Sequence, residues 1–480
     1  MRDYQQIIGG QSVEAVEGRR FDVVNPATGE VIGSVPDGTA ADADLALKAA
    51  EQAFPIWAEM PAQKRAKLMR DAAGLVRERA QAIGTTLTLE QGKPLNDAVK
   101  EILDAAGTLE FFAEEIIRIR GEIIPTGAQN AYSLVVKYPV GVCVAITPWN
   151  YPVSLLAWKL GPALAAGCTV VAKPATETPL SSIEFVQCFL DAGFPAGVVN
   201  IVTGGGSTLG TPLVEHPITK KVAITGSTAV GKHVASLAGK DLKKVSLELG
   251  GHSPYLVFAD VDLEQAVKEG VRRSFRNMGQ ICNAVNRIFV HESIKEAFVE
   301  RFVEETQKLR MGDGLANPSI DLGPMVNAAG IERTVRHVDD AVAKGSKLLC
   351  GGKRPEGPQY EKGFFFEPTV LVDAPSDALI MQEETFGPAV VINSFSTLDE
   401  AVELANATKY GLVAYAYTND LNTVNILAQR LDFGTVCINN TAAASVQAPY
   451  GGWKDSGLGI ELSHHAIDEY MKIKHVRINI

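Results

Sequence analysis

The sequence predicts an α/β fold built on a doubly wound parallel sheet, with a second α/β unit behind it. Two observations predict it. From Val140 onward, short runs of β-branched and aliphatic residues alternate with helical stretches, as parallel strands do when crossover helices bury both their faces. Glycine-rich turns also stand where such strands feed such helices, which leaves free amides and a positive dipole end facing outward. At 480 residues the chain exceeds what one core serves, so two or three domains are expected.

The elements follow in order. Residues 21–30 read as a strand ending in an Asn-Pro turn at Asn25-Pro26. Residues 40–118 are rich in Ala, Leu, Glu, Lys and Arg at helical spacing and predict three or four helices. The charges of 63–70 predict a solvated helix face. In 120–139, Ile123-Ile124-Pro125 and Leu134 to Pro139 form two strand-like pieces of a protruding hairpin. The alternation then runs: strand 142–146, helix 152–166 with proline in its first turn, strand 169–173, helix 180–192, strand 198–202. Strand 221–225, helix 229–237 and strand 244–248 complete it. A second block begins near Gly251, with a helix from about 263, a loop at Cys282, strand 287–290 and a helix over 294–309. A helix at 341–345 and a strand at 389–392 follow. The tail, 470–480, alternates like a strand without a sequence neighbour, and the 120–139 hairpin is the expected cover for its edge.

Composition excludes several functions. A net charge of -11 disfavours nucleic acid as a partner, because phosphate binding needs a basic surface. No stretch reaches the roughly 20 apolar residues of a membrane span, and the N-terminus lacks an apolar leader. Six cysteines without a C-x-x-C pair suit a reducing cytoplasm, and neither a disulfide framework nor a metal site.

Two glycine clusters are candidate phosphate cradles. Gly226-Ser227-Thr228-Ala229-Val230-Gly231-Lys232-His233 nearly matches a P-loop, but His233 stands where a magnesium-binding hydroxyl is required, so an ATPase is a poor fit. In Gly204-Gly205-Gly206-Ser207-Thr208-Leu209-Gly210, Leu209 replaces the third glycine of a dinucleotide fingerprint. On local evidence, helix capping by Ser227 or Thr228 and phosphate binding are equally good accounts. Cys282 follows a Gly-Gln pair that favours a turn, so its thiol is presented at a break between elements.

Taken together, Cys282, Glu248 in Leu247-Glu248-Leu249-Gly250-Gly251, Asn150 in Pro148-Trp149-Asn150 and the turn at Gly226 resemble the aldehyde dehydrogenase superfamily. The succinate-semialdehyde and lactaldehyde dehydrogenase groups are the nearest resemblance. It implies a Rossmann-type cofactor domain at 1–119 and 140–250 and a catalytic domain at 251–461. It also implies a small β oligomerisation element at 120–139 and 462–480, in a homodimer or homotetramer. Thr225, Gly226, Ser227 and Val230 match the family's pyrophosphate turn, and Gly206 and Gly210 its adenine-side turn. Lys173 matches the ribose lysine, Glu384 and Phe386 the pair at the nicotinamide, and Ile146, Thr147, Pro148, Trp149 and Leu249 complete the cofactor wall. Three residues after Lys173, strictly NAD-dependent members often carry Glu; here stands Thr176, with Glu177 beside it, leaving both NAD and NADP open.

The resemblance implies a chemistry as well. Cys282 attacks an aldehyde as a thiolate, forming a thiohemiacetal. The Asn150 amide and the Cys282 N–H hold the oxyanion. After hydride leaves, Glu248 activates water against the thioester, and its presence argues against a CoA-acylating relative. Gly250 and Gly251 beside Glu248 leave room for a ligand. Taken alone, Asn150 reads as a helix cap before Pro152. For the substrate pocket the resemblance implies Arg276, Trp158, Leu155, Ile281, Ala444, Ser445 and Tyr450. Arg276 resembles the carboxylate-gripping arginine of succinate-semialdehyde dehydrogenases, with a surface ion pair as the alternative. Trp158 stands where those enzymes have a second arginine and resembles general aldehyde dehydrogenases. Ala444 stands where they have a serine, with Ser445 as a substitute. A small anionic aldehyde, carboxylated, sulfonated or hydroxylated, is the expected substrate, and a neutral one the alternative.

Overall fold

The computed structural model describes residues 2–317 and 319–479. The helix Ala40–Ala58 packs on the strands of the first sheet, whereas Ala62–Glu78, Ala80–Gln91 and Leu95–Glu115 pack on one another and on the helices Pro152–Ala166 and Leu180–Asp191. Leu95–Glu115 buries Ala98, Ile102, Ala105, Leu109 and Phe112, a spacing of three and four that marks one helix face. Its neighbour, Pro152–Ala166, meets it closely because Gly161 lies against Phe112; a methyl there would come within 2.5 Å of the ring. The charged stretch 63–70 is not all solvated. Arg65 is buried, and its guanidinium donates to the carbonyls of Met60 (2.7 Å) and Ala165 (3.4 Å), joining two helices that the local pattern does not connect.

The first sheet has eight strands. Its parallel core runs Lys244–Glu248, Thr219–Thr225, Val142–Ile146, Thr169–Lys173, Val199–Ile201. The strand order reverses on either side of Val142–Ile146, so a crevice opens at the carboxyl ends of that strand and of Thr219–Thr225. The outer strand on one edge is Gly457–Leu458, antiparallel to Lys244–Glu248 with Gly457 opposite Glu248. A segment from late in the chain thus returns to the first sheet.

The second sheet has seven strands. Six are parallel, from Thr369–Val372 through Ala389–Phe395, Val285–His291, Ser253–Val257 and Val413–Tyr417 to Thr435–Ile438; Lys347–Cys350 adds an antiparallel edge. The helix expected over 294–309 is Lys295–Gln307, entered through a 3-10 turn at Glu292–Ile294. The tail strand Met471–Asn479 pairs antiparallel with Ala131–Pro139 along its whole length, and Glu122–Ile124 lies beyond. Ile123 and Ile473 on this three-stranded sheet are exposed. No helix among the described residues is long and apolar enough to cross a membrane.

Candidate active site

Cys282 sits at a break between the helix Leu263–Phe275 and the strand Val285–His291. The break is made by three successive left-handed residues, Asn277 (φ 50°), Met278 (φ 59°) and Gly279 (φ 67°). For the two non-glycine residues this conformation costs on the order of 1–2 kcal/mol each, so the loop must be held. It is held from several sides. Gln91 Nε2 donates to Asn277 Oδ1 (3.1 Å), Gln280 Nε2 to the Asn277 carbonyl (3.0 Å), and the Val326 amide to Gln280 Oε1 (3.0 Å).

Asn150 binds the same loop. Its Nδ2 donates to the Gln280 carbonyl (2.9 Å), which leaves one N–H, and its buried Oδ1 has no partner among the described residues. It does not cap the helix after it. That helix is capped by Glu101, whose Oε1 accepts from the Val153 and Ser154 amides (3.1 and 3.2 Å). Buried Lys93 holds Glu101 in turn, at 2.5 Å, and donates to the Asn150 carbonyl (2.7 Å).

Glu248 ends its strand with its carboxylate buried, and among the described residues neither oxygen has a hydrogen-bond partner within 3.5 Å. Burial, and then the neighbouring Glu461 carboxylate, push its pKa up to about 7. Lys159 Nζ ties Glu461 and Thr225 Oγ1 together at 2.6 Å each. Burial, and then the nearby Glu248, push the Cys282 thiol well above its ordinary value. Tyr450 Oη lies 3.6 Å from Cys282 Sγ and accepts from Asn283 Nδ2 (3.0 Å).

The glycines after Glu248 serve the protein rather than a ligand. A methyl on Gly251 would lie 2.1 Å from the Cys282 carbonyl, and one on Gly250 would lie 2.5 Å from Glu384 Oε2. The pair lets the Glu248 strand, the nucleophile loop and Glu384 converge.

At the crevice, Thr225, Gly226 and Ser227 lead into the helix Thr228–Gly239, and Ser227 Oγ caps it by accepting from the backbone amide of Val230 (3.4 Å), an exposed residue. Thr228 Oγ1 donates instead to the Asp455 carbonyl. The Leu249 side chain packs onto Gly231, where a methyl would collide at 2.2 Å. Ile146, Thr147, Pro148 and Trp149 form the neighbouring turn, and Trp149 meets Phe386 edge to face at 5.4 Å. Gly206–Gly210 is a π-helical turn beside Lys173.

These residues fit a nicotinamide dinucleotide. Lys173 is buried, its ammonium donates among the described residues only to the Pro174 carbonyl (3.2 Å), and burial brings its pKa down to about 8. Thr147 Oγ1 is buried without a partner among the described residues. Glu384 accepts from the Gly251 amide (3.0 Å) and is pushed up to about 7 by burial. Thr176 is exposed and donates to Glu177 Oε2 (3.2 Å).

On the other side of Cys282 a cavity of about 1080 Å³ opens, lined by Asn150, Leu155, Trp158, Arg276, Ile281, Ala444 and Tyr450 among others. Trp158 and Tyr450 meet edge to face at 5.3 Å. Ser445 is not in this wall. It is exposed, and its hydroxyl donates to Gln447 Oε1 (2.5 Å).

The aldehyde dehydrogenase family model matches residues 13–476. The chain belongs to the aldehyde dehydrogenase family. It is 41% identical over 476 residues to the succinate-semialdehyde dehydrogenase [NADP(+)] GabD of Escherichia coli K12, covering 99% of this chain and 98% of that one. It is also 41% identical over 472 residues to a 3-sulfolactaldehyde dehydrogenase of Pseudomonas putida, covering 98% and 96%. The crystal structure of an E. coli NADP-dependent enzyme superposes with a TM-score of 0.97 at 41% identity, covering 100% of this chain and 98% of that one. No group of three or more His, Cys, Asp or Glu able to hold a metal occurs among the described residues.

For a member of this family, three participants escape a sequence reading: Lys159, Glu461 and Asp97. Lys159 carried a signal, being a lone charge within the apolar helix Pro152–Ala166. Glu461 and Asp97 carried none, since only the folded chain brings them to the site.

Proposed function

We propose that this aldehyde dehydrogenase oxidises a small aldehyde with an anionic end to the acid, with NADP or NAD as acceptor. The observation that carries the reading is the single cavity joining Cys282 to the arginines at the end of the helix Leu263–Phe275. The semialdehyde and sulfolactaldehyde specificities named for its relatives support it.

Cys282 loses its proton to Glu248 and attacks the carbonyl carbon, forming the C–S bond of a thiohemiacetal. The free N–H of Asn150 Nδ2 and the Cys282 amide stabilise the oxygen that takes the charge. Bound nicotinamide supplies the acceptor for the hydride that leaves this carbon. Glu248 then releases that proton to solvent and, ionised again, removes a proton from water as the water oxygen attacks the thioester carbon; the C–S bond breaks, the acid departs, and the leaving thiolate takes the proton from Glu248 to restore the thiol. A carboxylate at about pKa 7 suits both transfers, because it exchanges protons readily near neutral pH. Lys173, Gly206, Gly210 and Thr176 would hold the adenosine side, Thr225, Gly226, Ser227 and Val230 the pyrophosphate, and Glu384 and Phe386 the nicotinamide side.

The dinucleotide-binding part comprises 1–119 and 140–250 and the catalytic part 251–461, with 457–458 returned to the first sheet. The exposed three-stranded sheet suits assembly into a dimer or tetramer, in the cytoplasm. The test compares kcat/KM for succinate semialdehyde and butanal with saturating NADP or NAD. A preference of about a hundredfold, roughly 2.7 kcal/mol at the transition state, supports the anionic substrate. Equal values assign a neutral aldehyde, with Trp158 setting the character of the pocket.

A further inference from the structure

Tyr450 is buried between the substrate cavity and the nucleophile loop, and it is fixed from three sides. Its amide donates to the Glu461 carbonyl (2.8 Å), and its carbonyl accepts from the Glu461 amide (2.7 Å). Its ring meets Trp158 edge to face. Its hydroxyl accepts from Asn283 Nδ2 at 3.0 Å and stands 3.6 Å from Cys282 Sγ, within hydrogen-bond reach of sulfur. Asn283 is fixed in turn, because Arg273 Nε (3.1 Å) and Tyr415 Oη (3.0 Å) both donate to its carbonyl. Lining a pocket needs only the aromatic ring of Tyr450. The buried hydroxyl, held against the nucleophile by a second side chain, calls for its own account.

A phenol has one hydrogen to give, and its oxygen can accept as well. With Asn283 donating to that oxygen, the hydrogen is left for the other hydrogen-bond contact among the described residues, Cys282 Sγ. Once Cys282 has passed its proton to Glu248, the sulfur can only accept, so the bond then runs from Tyr450 to the thiolate. We propose that Tyr450 is a further catalytic residue, the donor that stabilises the Cys282 thiolate, and that Asn283 is the positioning residue that aims it. The proposal rests on the reading of Cys282 as the nucleophile. Tyr450 keeps its own proton throughout. The sulfur electron pair forms the C–S bond, and when that bond breaks the same O–H again faces a thiolate. A hydrogen bond to a charged acceptor is stronger than one to a neutral acceptor, so the contact favours the ionised sulfur over the thiol. It thereby offsets part of the burial and of the Glu248 charge, which both oppose ionisation. Burial holds the phenol itself well above its ordinary range, so it stays a donor near neutral pH.

The test reads the ionisation of Cys282 directly. Inactivation of the full-length enzyme by iodoacetamide, without cofactor, is followed from about pH 6 to pH 10, since its rate tracks the thiolate. Tyr450→Phe keeps the ring and its contact with Trp158 and removes the hydroxyl alone. Its inactivation midpoint is expected about one pH unit above that of wild type, which is tenfold in thiolate at neutral pH. The value of kcat/KM for succinate semialdehyde should fall about as far at neutral pH and recover toward alkaline pH, where the thiol ionises unaided. Asn283→Ala is expected to move the midpoint the same way by less, and it carries the test if the phenylalanine variant does not fold. Besides Tyr450, the ionisable groups facing the sulfur are Glu248, Glu384 and Tyr415. Because Glu248 titrates in the same range, the comparison is repeated in Glu248→Gln, where the displacement by Tyr450→Phe should persist. A midpoint unmoved or lowered in Tyr450→Phe overturns the inference, even if the melting temperature falls. A displacement that vanishes in Glu248→Gln overturns it too, because the hydroxyl would then act on Glu248. Turnover that survives in Cys282→Ser overturns the nucleophile reading itself, whereas an inactive Cys282→Ser beside an unmoved Tyr450→Phe overturns this inference alone.

Discussion

Asp97 closes on the guanidinium of Arg276 with two hydrogen bonds, latching the first turn of the helix Leu95–Glu115 to the loop that carries Cys282. The pair stands at the mouth of the substrate cavity, so breaking it from either side has unequal consequences. Arg276→Gln bares a carboxylate where an anionic substrate must pass, and like charges repel strongly in a half-buried site. We expect a KM for succinate semialdehyde raised about fivefold, an effect near 1 kcal/mol. Adding Asp97→Asn to that variant is expected to restore KM to within twofold, as read by initial rates. Failure to restore it would mean that Arg276 contacts the substrate directly.

The raised pKa of Glu248 sets the pH dependence of turnover. Thioester hydrolysis needs its ionised form, so the hydrolytic rate should rise with unit slope below about pH 7 and level off above it. Glu248→Gln should remove this limb and let acyl-enzyme accumulate, seen as a burst of reduced cofactor followed by slow turnover. The sign for stability is opposite. The folded carboxyl binds its proton more tightly than the unfolded one, so its contribution is fully present below about pH 4.5 and is lost as pH rises through about 7. The cost reaches about 3 kcal/mol at most. The melting temperature of Glu248→Gln should therefore exceed that of wild type by a margin that grows from pH 5 to pH 8.

Strands and helices were legible because burial on both faces leaves a local signature. Val142–Ile146 and Thr169–Lys173 are observed at their expected bounds, and the Tyr470 tail finds the hairpin expected to cover it. What was not legible depends on partners distant in sequence. Asn150 precedes a helix and reads as its cap, yet Glu101, about fifty residues earlier, takes that place. Arg65 looks solvated until the Ala165 carbonyl arrives. The Gly250-Gly251 pair reads as space for a ligand, but the space is filled by Glu384 and the Cys282 carbonyl. Ser445 was placed in the pocket by its neighbour in sequence, while the loop turns its hydroxyl to Gln447.

Glycines that look alike in sequence should respond differently to a methyl group. Gly251→Ala forces backbone against backbone at the Cys282 carbonyl, where no side chain can yield. Loss of activity is expected, together with a lower melting temperature, as for an overpacked core costing about 1–3 kcal/mol. Gly210→Ala places its methyl 3.6 Å from the Lys173 side chain, an ordinary contact. Its melting temperature should stay within a degree or two of wild type. A Gly251→Ala enzyme of full activity would show that the nucleophile loop moves freely, against the network around Asn277 and Gln280.

We expect the charge of Glu177 beside Lys173 to bias cofactor choice. Glu177 accepts from the Thr176 hydroxyl and raises the affinity of Lys173 for its proton, so its carboxylate faces the region where the resemblance places the adenine ribose. A 2′-phosphate brought there meets the favourable ammonium of Lys173 and the unfavourable carboxylate of Glu177 together. Glu177→Gln removes only the second. The ratio of kcat/KM for NADP to that for NAD should then rise about fivefold, near 1 kcal/mol, mostly through a lower KM for NADP. Lys173→Met should push the ratio the other way, because a 2′-phosphate would lose a buried cation while the ribose hydroxyls would lose only a donor. If both variants moved the ratio in the same direction, the pair would not be what discriminates the two cofactors, and the exposed Thr176 hydroxyl would remain as the discriminating group.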